Sequence, residues 1–166
     1  MTFTHLDAHG HARMVDVTDK TPTARSATAR GFVRCAAHTV DLLRDGAVPK
    51  GDVLAVARIA GIQAAKRTPE LLPLAHVIGV HGAVVDLAVD DDGVSIEATV
   101  RTADRTGVEM EALTAVTVAA LAVVDMIKGL DRSASIEHVR ITAKEGGRSG
   151  AWSRPDDDAR SVDEGA

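Results

Sequence analysis

The sequence predicts an α+β domain, an antiparallel sheet with helices packed on one face. Three observations carry that class. Strand-like and helix-like segments follow one another without the regular βαβ alternation of a parallel sheet. Two runs, Gly82 to Val89 and Val94 to Thr102, are separated by Asp90-Asp91-Asp92-Gly93, a short polar turn of the kind that joins antiparallel neighbours. Two further segments, Asp52 to Arg67 and about 109–129, carry apolar residues at helical spacing. At 166 residues one compact domain is the default, and a 45% apolar fraction supplies its core. Aromatics are only 2%, so that core is built from Ala, Val, Leu and Ile.

Each element has a local reason. Residues 1–12 read as a flexible arm rich in His and Gly, 13–152 as the folded domain, and 153–166 as a disordered acidic tail. Arg13 to Val17 alternates like a short strand. Thr23 to Cys35 is rich in β-branched and small residues and reads as extended. Ala36 to Arg44 is a short helix stopped by Asp45-Gly46. In the next helix Asp52 is placed to cap the N-terminus and Pro69 bars extension. Leu71 to Ile78 is apolar but irregular. Ile136 to Lys144 is the last strand. Gly146-Gly147-Arg148-Ser149-Gly150 lacks the Walker spacing and reads as a mobile lid or linker.

Charge narrows the function classes. The net charge is −5, but Pro155 to Ala166 alone holds five acids and one Arg, so the body is nearly neutral. A neutral body with few aromatics does not fit nucleic-acid binding. No apolar run reaches the roughly 20 residues of a membrane span. No signal peptide is evident in the first residues, and a single cysteine, Cys35, fits a reducing cytoplasm and excludes a thiolate zinc site.

The segment 109–129 concentrates ionisable groups. At roughly 100° per residue, Glu111, Thr114, Val118, Leu121, Asp125 and Lys128 share one narrow stripe, opposite the apolar Leu113, Val116, Ala120, Val124 and Ile127. A helix apolar behind and nearly dry in front is expected to be buried. Burial would lower the Lys128 pKa and raise that of Asp125, readying both for proton transfer. The alternative is an ordinary i, i+3 ion pair worth about 0.2–0.5 kcal/mol. Glu109 suits a helix N-terminus simply as an acid in the first turn. Lys50-Gly51-Asp52 precedes a helix and offers an anion site. Lys66 either extends to solvent at a helix end or directs a cation at an anion, and Arg25, Arg58 and Arg67 are candidates to join it. His5, His9 and His11 form at most a weak metal cluster, while His76 and His81 flank an apolar stretch where a histidine commonly bonds to backbone.

Several long blocks carry a resemblance: Met14-Val15-Asp16-Val17, Lys50-Gly51-Asp52, the run from Ala57 to Thr68, the run from Thr106 to Thr114, Asp125-Met126-Ile127-Lys128, and Lys144 to Gly150. From about His5 to Trp152 the chain resembles the cyclic pyranopterin monophosphate synthase family, molybdenum cofactor biosynthesis protein C. The resemblance implies a ferredoxin-like subunit in a homo-oligomer, a hexamer built as a trimer of dimers with sites at subunit interfaces. It implies a lyase that converts (8S)-3',8-cyclo-7,8-dihydroguanosine 5'-triphosphate to cyclic pyranopterin monophosphate and releases pyrophosphate. By position it makes Asp125, Lys128 and Lys66 catalytic. It makes Lys50, Leu74, Ala75, His76, Glu109, Met110, Glu111 and Arg25 substrate-binding. No metal site and no required cofactor are implied, although a divalent ion can accompany the triphosphate. Where the family usually reads Pro-Leu-Cys-His-Pro-Leu, this chain has Pro73-Leu74-Ala75-His76-Val77-Ile78. That difference supports the alternative reading, a catalytically impaired paralogue that binds a nucleotide or pterin without turnover.

Overall fold

The computed structural model describes residues 6–155 except Ala8 and Ser149. The expected tail from 156 onward, and His5 of the arm, lie outside the described residues. The elements run β1 (Thr23–Arg34), α1 (Ala37–Arg44), α2 (Val53–Ala65), α3 (Thr68–Leu71), β2 (Gly82–Val89), β3 (Gly93–Asp104), α4 (Glu109–Ile127), β4 (Ser135–Glu145) and β5 (Trp152–Ser153). The strands form one sheet in the order β2-β3-β1-β4-β5 with every neighbour antiparallel. The order of β1 to β4 is that of the ferredoxin-like split βαβ arrangement.

Alternation decides the faces. Along β1, Ala27, Ala29, Gly31 and Val33 are buried, whereas Arg30 and Arg34, on the alternate positions, are exposed. Their partners on β3, including Val94, Ile96, Ala98 and Val100, are buried as well. α4 lies across this face over β1, β3 and β4, and α2 lies beside it over β2. The opposite sheet face is polar and carries cross-strand pairs such as Arg30 with Glu97 at 2.6 Å. Small residues let the layers close. A Cβ on Gly31 would stand 2.6 Å from Val116 Cγ1, and one on Gly61 would stand 2.9 Å from the Ala115 carbonyl oxygen.

Caps and stops follow the sequence. The Asp52 carboxylate accepts the Ala55 amide at 2.9 Å and caps α2. Pro69 ends that helix but then serves at the start of the one-turn α3, a position where its missing N–H costs nothing. Three expectations are corrected. Residues 13–17 form no strand; between them and the sheet runs a turn closed by the Lys20 amide on the Val17 carbonyl at 3.0 Å. The Gly-rich segment is not a linker but a turn that returns the chain along β4 as β5. α4 is long and apolar enough to cross a membrane by length and composition, yet its apolar side is taken up by the sheet and α2.

Candidate functional site

The candidate residues gather at the two ends of α4. At its C-terminal end, Lys128 Nζ meets Asp125 Oδ1 at 2.8 Å. Lys50 Nζ lies 3.6 Å from Asp125 Oδ2 and donates to the Asp125 carbonyl oxygen at 2.6 Å. Lys50 arrives there because Gly51 takes φ +102°, a left-handed turn open to glycine, just before the Asp52 cap. Two ammonium groups thus flank one carboxylate at the negative end of a helix.

This end is not dry. The Asp125 and Lys128 side chains are 61% and 62% exposed. The expected burial, with Asp125 raised, is therefore corrected: the Lys128 hydrogen bond, then the Lys128 and Lys50 charges, hold the Asp125 carboxyl below the usual carboxylate range. The physical reason is the side of α4 on which the pair lies. Val123 and Ile127 keep the core side of its last turns fully buried, but among the described residues no other segment covers the opposite side there, so the stripe through Leu121, Asp125 and Lys128 faces outward.

The other end of α4 borders an open groove. Val15, Lys20, Leu74, Ala75, His76, Gly107, Glu109, Met110 and Glu111 are among the residues lining a groove of about 430 Å³. Glu111 is 3% exposed and makes no salt bridge among the described residues. Burial, reinforced by the nearby Glu109 charge, pushes its carboxyl up against the pull of its own amide and of His76. His76 bonds through Nε2 to the Val15 carbonyl at 2.6 Å. A carbonyl only accepts, so Nε2 carries the proton. The loop is further closed by the Ala75 amide on the Leu72 carbonyl at 3.0 Å. It is therefore held even though the expected cysteine and second proline are missing.

Lys20 lines this groove, and further cations bond to groups next to it. Lys144 Nζ meets Glu109 Oε1 at 3.1 Å. Arg25 donates through Nε to the Asp104 carbonyl at 3.1 Å, and Arg105 donates through Nε to the Lys20 carbonyl at 2.9 Å. α2 runs antiparallel to α4: Lys50 before α2 reaches Asp125, whereas Gly61 midway packs by Ala115 and Ala119. Lys66, at the end of α2, therefore sits at the groove end of α4 and not beside Asp125. It shares a second groove with Ile59, Ile62, Gln63, Arg67 and Glu70. Arg58 is occupied elsewhere, donating to the Val85 carbonyl at 3.1 Å. Lys20 and Arg105 were missed by sequence reasoning because each lies in a loop, where spacing says nothing about direction. Lys144 had a signal, since it opens one of the resembling blocks. Among the described residues, no three His, Cys, Asp or Glu side chains are placed to hold a metal ion.

Taken together, the ferredoxin-like topology, a buried acid in a cation-rimmed groove and an exposed carboxylate–ammonium couple define a protein equipped for an anionic small molecule and for proton transfer. The chain belongs to the MoaC family, whose model matches residues 14–147. It is 62% identical over 151 residues to the cyclic pyranopterin monophosphate synthase of Streptomyces coelicolor, covering 91% of this chain and 89% of that protein. It is 59% identical over 155 residues to the synthase of a Nocardioides species, covering 92% and 95% of the two chains. It is 54% identical over 150 residues to the protein named cyclic pyranopterin monophosphate synthase 2 in Mycobacterium bovis, covering 90% of each.

Proposed function

We propose that this chain is a cyclic pyranopterin monophosphate synthase, a lyase of molybdenum cofactor biosynthesis. It converts the 3',8-cyclised dihydroguanosine triphosphate to cyclic pyranopterin monophosphate and releases pyrophosphate. The observation that carries the reading is the Lys50–Asp125–Lys128 cluster, which brings Lys50, a residue the family resemblance assigns to substrate binding, from 75 positions away onto Asp125 and Lys128, the pair it assigns to acid–base chemistry. The impaired-paralogue reading is not favoured, because relatives spanning nearly the whole chain bear the synthase name.

The chemistry asks for proton transfers and for neutralisation of a triphosphate. The purine five-membered ring opens, a pterin ring forms, and the ribose-derived portion closes into a cyclic phosphate as pyrophosphate leaves. Asp125, kept ionised by its two lysines, is suited to hold and orient the Lys128 ammonium, which can donate a proton. Glu111, buried in the groove with its carboxyl pKa pushed upward, offers that carboxyl to the heterocycle. Lys66, Lys50, Arg25, Lys20 and Lys144 counter the phosphate charge, and a divalent ion travelling with the nucleotide is compatible with that set. A GTP-derived substrate supports a cytoplasmic location.

One chain does not join these parts. Glu111 and Asp125 are fourteen residues apart on one helix, about 21 Å at 1.5 Å per residue. A complete site uniting them needs the α4 C-terminal end of another copy beside the groove. Exposed Leu74, Met110 and Leu121 lie on this side and offer apolar surface for that contact. This supports the hexameric, interface-sited enzyme. Incubation of the purified protein with the cyclised nucleotide tests the activity: pterin product and pyrophosphate in equal amounts are expected, and ligand binding without either product overturns the reading. Light scattering tests the assembly, since a monomer that turns over substrate would rule out a shared site.

A further inference from the structure

The Gly146-Gly147 pair has a feature that neither a linker nor an ordinary turn requires. Both residues adopt positive φ, +88° and +70°. A Cβ on Gly146 would overlap the Ala24 carbonyl oxygen. A Cβ on Gly147 would overlap Arg25 Nη1 and stand 2.8 Å from Arg25 Cζ. The turn between β4 and β5 therefore lies directly on the β1 backbone and on the guanidinium beside it. From the other side, the Asp104 carbonyl accepts Arg25 Nε at 3.1 Å and the Arg105 carbonyl accepts Nη2 at 3.4 Å. The guanidinium is thus held between a bare glycine backbone and the end of β3. That end leads straight into Thr106 and Gly107, which line the groove at α4.

We propose that Gly146 and Gly147 are positioning residues for Arg25: lacking side chains, they let the turn close over the guanidinium and fix where it meets the substrate phosphates. This rests on the reading of Arg25 as a phosphate-facing residue. The effect acts through geometry. An arginine side chain left to itself samples many rotamers, and holding its planar fork in one orientation removes that entropy before an anion binds. β5 serves the same end. Its pairing with Ala143 and Lys144, and the Arg154 amide on the Thr142 carbonyl at 2.8 Å, secure the far side of the turn. A displaced guanidinium weakens phosphate binding without touching the Asp125–Lys128 couple at the other end of α4.

The test is steady-state kinetics of the full-length protein on the cyclised nucleotide, for Gly147→Ala, Gly147→Asn, Arg25→Ala and the Gly147→Ala/Arg25→Ala pair. Gly147→Ala is expected to raise KM about tenfold with kcat within about twofold, a loss typical of one misplaced charge-assisted contact. Gly147→Asn tolerates positive φ but carries the same Cβ, so it is expected to raise KM equally. In the Arg25→Ala background, Gly147→Ala is expected to add nothing further. Wild-type KM in Gly147→Asn, or a full additional loss in the Arg25→Ala background, overturns the proposal, because backbone strain alone would then explain the effect. A crystal structure of Gly147→Ala separates the two layers. Should Arg25→Ala leave KM unchanged while that structure shows the guanidinium displaced, the positioning stands and the phosphate reading of Arg25 fails. An undisplaced guanidinium refutes the positioning itself.

Discussion

Gly61→Ala probes how closely α2 and α4 approach, and hence how the two candidate clusters are held. Glycine in a helix interior normally costs about 1 kcal/mol relative to alanine, so the substitution is stabilising wherever space exists. Here the added methyl would meet the Ala115 carbonyl oxygen at 2.9 Å, Ala119 Cβ at 3.2 Å and Val85 Cγ2 at 3.3 Å. The first contact is with helix backbone, which yields least. Overpacking of this kind costs about 1–3 kcal/mol. Set against the propensity gain, the expected net loss is about 1–2 kcal/mol, the upper part of the range applying because backbone must move. For a domain of this size that lowers Tm by about 2–8 °C. The assay is thermal unfolding at fixed protein concentration, because assembly makes Tm concentration-dependent. Gly129→Ala serves as the control, since nothing lies within 4 Å of its added methyl. A Gly61→Ala protein more stable than wild type would show that the helices are not in close contact there and refute the reasoning. As α2 moves, Lys66 at its end and Lys50 just before it shift relative to α4, so kcat/KM is expected to fall with stability.

Three other outcomes follow from the geometry. Asp125→Asn or Lys128→Ala is expected to cut kcat by about 10²–10⁴ while Tm moves little, because an exposed pair contributes at most about 1 kcal/mol to stability; unchanged turnover would remove both from the mechanism. Glu111→Gln is expected to stabilise the protein at neutral pH with no gain at acidic pH. The folded pKa lies above the unfolded value, so the burial penalty is absent where both states are protonated, grows as pH rises past the unfolded value of 4.5, and is complete above the folded pKa; a Tm difference flat across pH 4 to 8 would contradict it. Asp131 accepts the Ala36 amide at 2.7 Å and the Ser133 amide and hydroxyl at 2.8 and 2.6 Å, which hold its carboxyl below the usual range. Asp131→Ala is expected to cost about 1–3 kcal/mol, measured by urea unfolding. With its folded pKa lowered, that contribution is present above 3.8 and fades as pH falls through the folded value, so wild type and variant should converge in acid.

Much of the fold was legible because alternation and helical spacing are local. The hairpin at Asp90 to Gly93, the cap at Asp52 and the long helix stand where the chain's own chemistry places them. The two-residue β5 was not legible, since Trp152 and Ser153 have no period to read and pair only because the glycine turn folds them back onto β4. Arg105 was hidden for a related reason: its direction depends on the Lys20 backbone carbonyl, 85 residues away.

The amino-acid order by itself determined which residues share a face. It put Glu111, Asp125 and Lys128 on one stripe, and it supplied the family's motifs at the right positions. Only the tertiary structure decided how much of that stripe is covered. Glu111 lies beside the His76 loop and is buried, while Asp125, on the uncovered side of a turn whose other side is packed in the core, is exposed. Periodicity specifies direction around a helix, but burial depends on what other parts of the chain place against it, and that is set by contacts far apart in sequence.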